Sequence, residues 1–177
     1  MDVYTWLIVG HLAGTILGIG GATMVEVHLT TALRNKDMSS DERVLLGTDY
    51  TVVRVGLILS VLTGFGFLLL YNTTGQTFRL YDPILWAKLC IVMVIAINAL
   101  LLQAHKISLY WGAALSFVSW WSAGLLGVFL THVVKFDLFG MHTFLSSFVS
   151  VMLMYALMVV VGAAVLDLVR KRLSITS

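Results

Sequence analysis

The sequence predicts an all-α polytopic membrane protein, with five transmembrane helices in an up-down bundle and a single domain over residues 1–177. Three observations lead there. Hydrophobic residues make up 59% of the chain and charged ones only 11%, a balance a water-soluble domain could not hide. Five apolar stretches reach the roughly 20 residues needed to cross a bilayer core of about 30 Å. The connections are short, so consecutive helices are expected to be antiparallel neighbours.

The expected helices cover residues 3–33, 41–71, 83–105, 109–133 and 143–170. The first is expected to be a permanent helix and not a cleavable signal, because Asp2 stands where a basic stretch would and the apolar run is too long. Ser39 with Glu42 reads as a capping box, so the second helix starts near Asp41, before its apolar part at 52–71. Asp82-Pro83 reads as an N-cap followed by proline at the first helical position. The fourth helix carries a small-residue stripe, Gly112, Ser116, Ser119, Ala123 and Gly127, that permits close packing.

Basic residues set the orientation. Arg34, Lys36, Arg43, Arg54 and Lys106, with Arg170, Lys171 and Arg172, fall on one side, against Arg79 and Lys135 on the other. The positive-inside rule then puts the N-terminus outside and the C-terminus in the cytoplasm of a bacterial or archaeal cell membrane. Lysines and arginines so placed answer to the lipid bilayer and give no reason to expect nucleic acid. The single cysteine, Cys90, excludes an internal disulfide. No phosphate-binding loop, serine nucleophile elbow or cysteine-rich metal knuckle is present. An oligomer is compatible with the sequence.

Ionisable residues at membrane depth are costly and mark cofactor, ion or proton sites. His11 and His28 in the first helix are 17 positions apart, and so are Lys88 and His105 in the third, about 26 Å at 1.5 Å per residue. Both helices run in the same direction, so His11 should lie level with Lys88, and His28 with His105. Gly14, Gly18 and Gly21 lie between the two histidines on one stripe. They offer either a bare surface for a porphyrin or a quinone, or a seat for another helix. Lys88 either snorkels to the interface or is a fixed cation for an anionic group. Arg54 invites the same two readings, with Glu26 as its expected ion-pair partner. His28 and His105 are structural, or a second iron-binding pair. Outside, His132, Met141 and His142, with Asp137 between, suit copper by donor type, or form an ordinary wet loop.

The order of these segments resembles the superfamily that includes the copper-resistance protein D family and the HemJ-type protoporphyrinogen oxidases. The likeness rests on Gly10-His11-Leu12-Ala13-Gly14 and Gly18-Ile19-Gly20-Gly21, on Val53-Arg54-Val55-Gly56 and Leu62-Thr63-Gly64, and on Leu85-Trp86-Ala87-Lys88-Leu89 continuing to Asn98. It covers somewhat over half of the chain. The resemblance implies haem b bound through His11, an important Lys88, and a redox or electron-transfer role with a porphyrin or redox partner. Arg54 would be a second cation for propionates or an anionic substrate. The copper-resistance relatives imply one alternative, copper passage across the membrane; the residues leave open another, a structural membrane protein with no cofactor. HemJ-type proteins commonly carry Trp-Met-Ala-Gly after the helix-one histidine and a proline in helix two. Both are absent here, which points to a haem-binding or uncharacterised relative more than to the oxidase itself.

Overall fold

The computed structural model describes residues 2–34, 39–131, 138–141 and 143–175. They form α1 (Val3–Arg34), α2 (Ser40–Thr73), α3 (Pro83–Gln103), α4 (Leu109–Thr131) and α5 (Phe144–Ile175), with a 3-10 turn at Thr77–Tyr81 between α2 and α3. Among the described residues there is no strand. Each of the five helices is long and apolar enough to cross a membrane. Large apolar side chains such as Leu62, Leu69, Leu100, Leu157 and Val160 are exposed around the bundle. In water such a surface would aggregate; in a bilayer it is solvated. The chain is an integral membrane protein.

The helix ends follow local chemistry. Ser39 and Glu42 close a capping box at the start of α2, with Glu42 N–H donating to Ser39 Oγ (3.2 Å) and Ser39 N–H to Glu42 Oε2 (2.8 Å). Asp82 caps α3 by accepting from Ile84 N–H at 2.8 Å, with Pro83 at the first helical position. The same helix ends early. His105 adopts φ 54°, Lys106 N–H reaches back to Leu101 O (2.9 Å), and His105 N–H to Leu102 O (3.1 Å). This is the left-handed Schellman stop that usually takes glycine. Replacing His105 with glycine is expected to raise stability by about 0.5–1 kcal/mol, because it removes the Cβ penalty of that conformation at the cost of some chain entropy. Thermal unfolding of the purified protein measures it.

The packing is not a simple chain of neighbours. α1 lies along α2, while α4 is central and touches α1, α3 and α5; α2 and α3, though consecutive, hardly meet. Small residues allow the tightest crossing. A Cβ on Gly56 would lie 2.5 Å from Gly18 N and 2.8 Å from Gly14 O, and one on Gly14 would lie 2.6 Å from Ser60 Oγ. Gly18 is further covered by the Trp120 ring of α4. The core of Val25, Ile91, Ile95, Ala113, Trp120 and Val151 sits where α1, α3, α4 and α5 converge.

One buried ion pair ties three helices together. Arg170 of α5 is 3% exposed and donates through Nε (2.9 Å) and Nη2 (2.6 Å) to Glu26 of α1. Its Nη1 donates to Tyr110 O of α4 at 2.7 Å, and its guanidinium lies over the Tyr110 ring. The Tyr110 hydroxyl donates to Asp167, which also pairs with Lys171. Glu26 thus pairs with Arg170 and not with Arg54. Depth alone suggested Arg54, but Val53, Gly56 and Ser60 are the α2 side chains turned to α1, and Arg54 is exposed next to that stripe.

Candidate functional site in the membrane

The site is built where α1, α2, α3 and α4 approach one another near the start of α1. Every third or fourth residue of α1 faces α2, so the stripe that seats Gly14 and Gly18 also points His11 at Thr63. Thr63 Oγ1 donates to Leu59 O, one turn back, at 2.7 Å. Its remaining capacity is as an acceptor, and His11 Nδ1 lies 2.9 Å away. On the other edge of the ring, Nε2 lies 3.4 Å from Lys88 Nζ. An ammonium can only donate, so Nε2 accepts and Nδ1 carries the proton. Both contacts require the same tautomer. The Phe67 ring stands edge-on to the imidazole, with centroids 5.8 Å apart.

Lys88 reaches the site from α3, although α1 and α3 make little helix contact of their own. Its ammonium lies beside Gly127 of α4, where an added Cβ would stand 3.3 Å from Nζ. Among the described residues no carboxylate lies within ion-pair distance of Lys88. This lysine turns inward to His11 instead of snorkelling along lipid. The level match of His11 with Lys88 is therefore a contact.

The remaining sequence candidates are placed as follows. Gly14 and Gly18 are filled by Gly56, Ser60 and Trp120, so the glycine stripe seats α2 and an indole ring and leaves no bare surface for a flat cofactor. His28 Nδ1 pairs with Asp49 Oδ2 of α2 at 2.6 Å. His105 is the exposed helix stop, and among the described residues no hydrogen bond or ring contact joins it to His28. Arg54 is nine residues before Thr63, about 13 Å along α2, and stands apart from His11. Met141 is exposed, while His132, Asp137 and His142 lie outside the described residues. Among the described residues no three histidine, cysteine, aspartate or glutamate side chains converge as a metal cluster.

Thr63, Phe67 and Asp49 were not singled out by sequence. Thr63 sits in the Leu62-Thr63-Gly64 run, and counting along antiparallel α2 from the short link after α1 puts it near His11; an aromatic and an aspartate on α2 carry no comparable signal. No family model, no curated protein and no solved structure matches the chain.

Proposed function

We propose that this membrane protein binds haem b through His11 and serves a redox or electron-transfer role, with its N-terminus outside. The observation that supports this reading is the fixed imidazole. Nδ1–H is anchored on Thr63, and the unprotonated Nε2 faces the interior of the bundle beside a cation. Metal-bound histidines are held in this way by their outer nitrogen; for Nε2 to take iron, the Lys88 ammonium that it now faces at 3.4 Å would swing aside. The donor set suits the group: His11 would hold the iron and Lys88 would neutralise a propionate. When bound, haem supplies one-electron chemistry at its iron. The chain supplies the ligand, its tautomer, the counter-charge and a dry apolar surround. The filled glycine stripe does not contribute.

The absorption spectrum of protein extracted from membranes tests the proposal. A Soret band is expected in the wild type and should vanish in His11→Ala while surviving in His132→Ala. Thr63→Val should weaken haem retention by roughly 10- to 100-fold, the usual cost of losing an outer hydrogen bond to a ligating histidine. A colourless wild-type protein would overturn the reading. If that protein kept copper in a His142-dependent way, a copper transporter using His132, Met141 and His142 would replace it. The Lys88–Nε2 contact itself favours a second reading, in which the lysine and histidine form a cofactor-free proton-handling pair. That pair would survive in a colourless protein whose transport of protons is lost in both Lys88→Met and His11→Ala.

A further inference from the structure

A cavity of about 440 Å³ lies at the seam where α2 and α3 fail to close on each other, bounded on its third side by the start of α4. The volume is in the range of about 300–1,000 Å³ typical of small-molecule sites. Its apolar walls include Val53, Leu57, Ile95 and Leu102, and its polar groups include Tyr50, Arg54 and Asn98 beside His105, Gln103 and Ser116. Several of these polar groups lack partners. Asn98 is 3% exposed; its Nδ2 donates to Gly112 O at 2.8 Å, which fixes the amide's orientation, and its Oδ1 has no hydrogen-bond partner. The Tyr50 hydroxyl is buried and also without a partner. Arg54 makes no ion pair among the described residues. Val53, its neighbour, packs on Gly21, close to halfway along α1, so Arg54 is a cation well inside the bundle's span.

A cation, an unused donor and an unused acceptor around an apolar slot describe one kind of guest. We propose that this cavity binds an anionic amphiphile, with its oxyanion on the Arg54 guanidinium and the Tyr50 hydroxyl, a headgroup hydroxyl donating to Asn98 Oδ1, and its alkyl chain along Val53, Leu57 and Ile95. Arginine's planar fork matches carboxylate and phosphate oxygens. Basic pockets between transmembrane helices take up lipid headgroups for the same reason. The apolar walls favour a membrane lipid of phosphatidylglycerol chemistry over a soluble phosphate. The site is separate from His11, and its test does not depend on haem.

Native mass spectrometry of the full-length protein in detergent, offered phosphatidylglycerol and phosphatidylcholine with the same chains, tests it. The wild type is expected to retain one phosphatidylglycerol with at least tenfold preference. Arg54→Gln should bring retention down to the phosphatidylcholine level. Arg54 is exposed and unpaired, so this variant should melt where the wild type does. Tyr50→Phe removes a hydroxyl that serves no protein partner and should weaken retention by about 3- to 10-fold, the effect of one hydrogen bond. Arg79→Gln, on the exposed turn after α2, should change nothing. Displacement of the lipid by millimolar inorganic phosphate would support the oxyanion pocket and assign its natural occupant to a soluble source. Equal retention of the two lipids by the wild type, or unchanged phosphatidylglycerol binding in Arg54→Gln, overturns the proposal.

Discussion

Replacing Arg170 with alanine is expected to cost about 3–5 kcal/mol, a large share of the roughly 5–15 kcal/mol by which folded proteins are stable. The reason is what it leaves behind. Glu26 has 7% of its side chain exposed, and among the described residues Arg170 supplies its charge-assisted hydrogen bonds, with a long Thr30 contact (3.4 Å) besides. Removing the guanidinium strands a carboxylate in the bundle and takes the side-chain donor from Tyr110 O. Glu26→Ala should be comparably harmful, because it strands the arginine. The double replacement Glu26→Leu/Arg170→Met should be far milder than the sum of the singles, since it removes both charges and refills the space. Lys171→Ala breaks an exposed pair with Asp167 and should leave the unfolding transition nearly where it is. Denaturant or thermal unfolding in detergent separates these variants. If Arg170→Ala melts with Lys171→Ala, the pair does not hold α1, α4 and α5 together.

Arg170 also marks a limit of sequence reading. As one of three basic residues after the last apolar run, it reads as an orientation signal. Hydropathy reports that a segment crosses the membrane and says nothing of which neighbours it meets. α5 happens to lie beside α1, and that adjacency, not depth, chose the partner of Glu26. The helices themselves were legible because an apolar run of spanning length admits one structure in a bilayer. Their starts were legible where capping side chains are local, as at Ser39 and Asp82. The end of α3 was not, because a histidine stands where the stop usually takes glycine. His11 and Lys88 were legible as a level pair because equal spacing on two parallel helices is simple geometry. Whether they touched depended on the central position of α4, which the order of segments does not encode. The glycines were legible in position and ambiguous in use, since a bare helix face serves a cofactor and another helix equally well.

That ambiguity gives the last prediction its force. Gly56→Ala should destabilise the protein by about 3 kcal/mol, the upper end of ordinary overpacking costs, and Gly56→Val by more. Overpacked cores usually relax by turning a side chain, but here the clash is with backbone: an added Cβ would lie 2.5 Å from Gly18 N, 2.8 Å from Gly14 O and 3.0 Å from Gly18 Cα. Only separation of α1 from α2 relieves it. That movement would also draw Thr63 away from His11 and release the imidazole from its fixed tautomer, so the Soret band of the haem proposal should change together with stability. Gly20 and Gly47 are the controls. Nothing lies within 4 Å of a Cβ at either position, so alanine there should stabilise its helix by about 0.5–1 kcal/mol through reduced chain entropy. Opposite signs at Gly56 and Gly20, measured by unfolding in the same detergent, would tie the fixed geometry of His11 to the α1–α2 crossing. Equal and small gains at both would mean that the two helices do not meet at Gly56, and that Thr63 is not held against His11 by their packing.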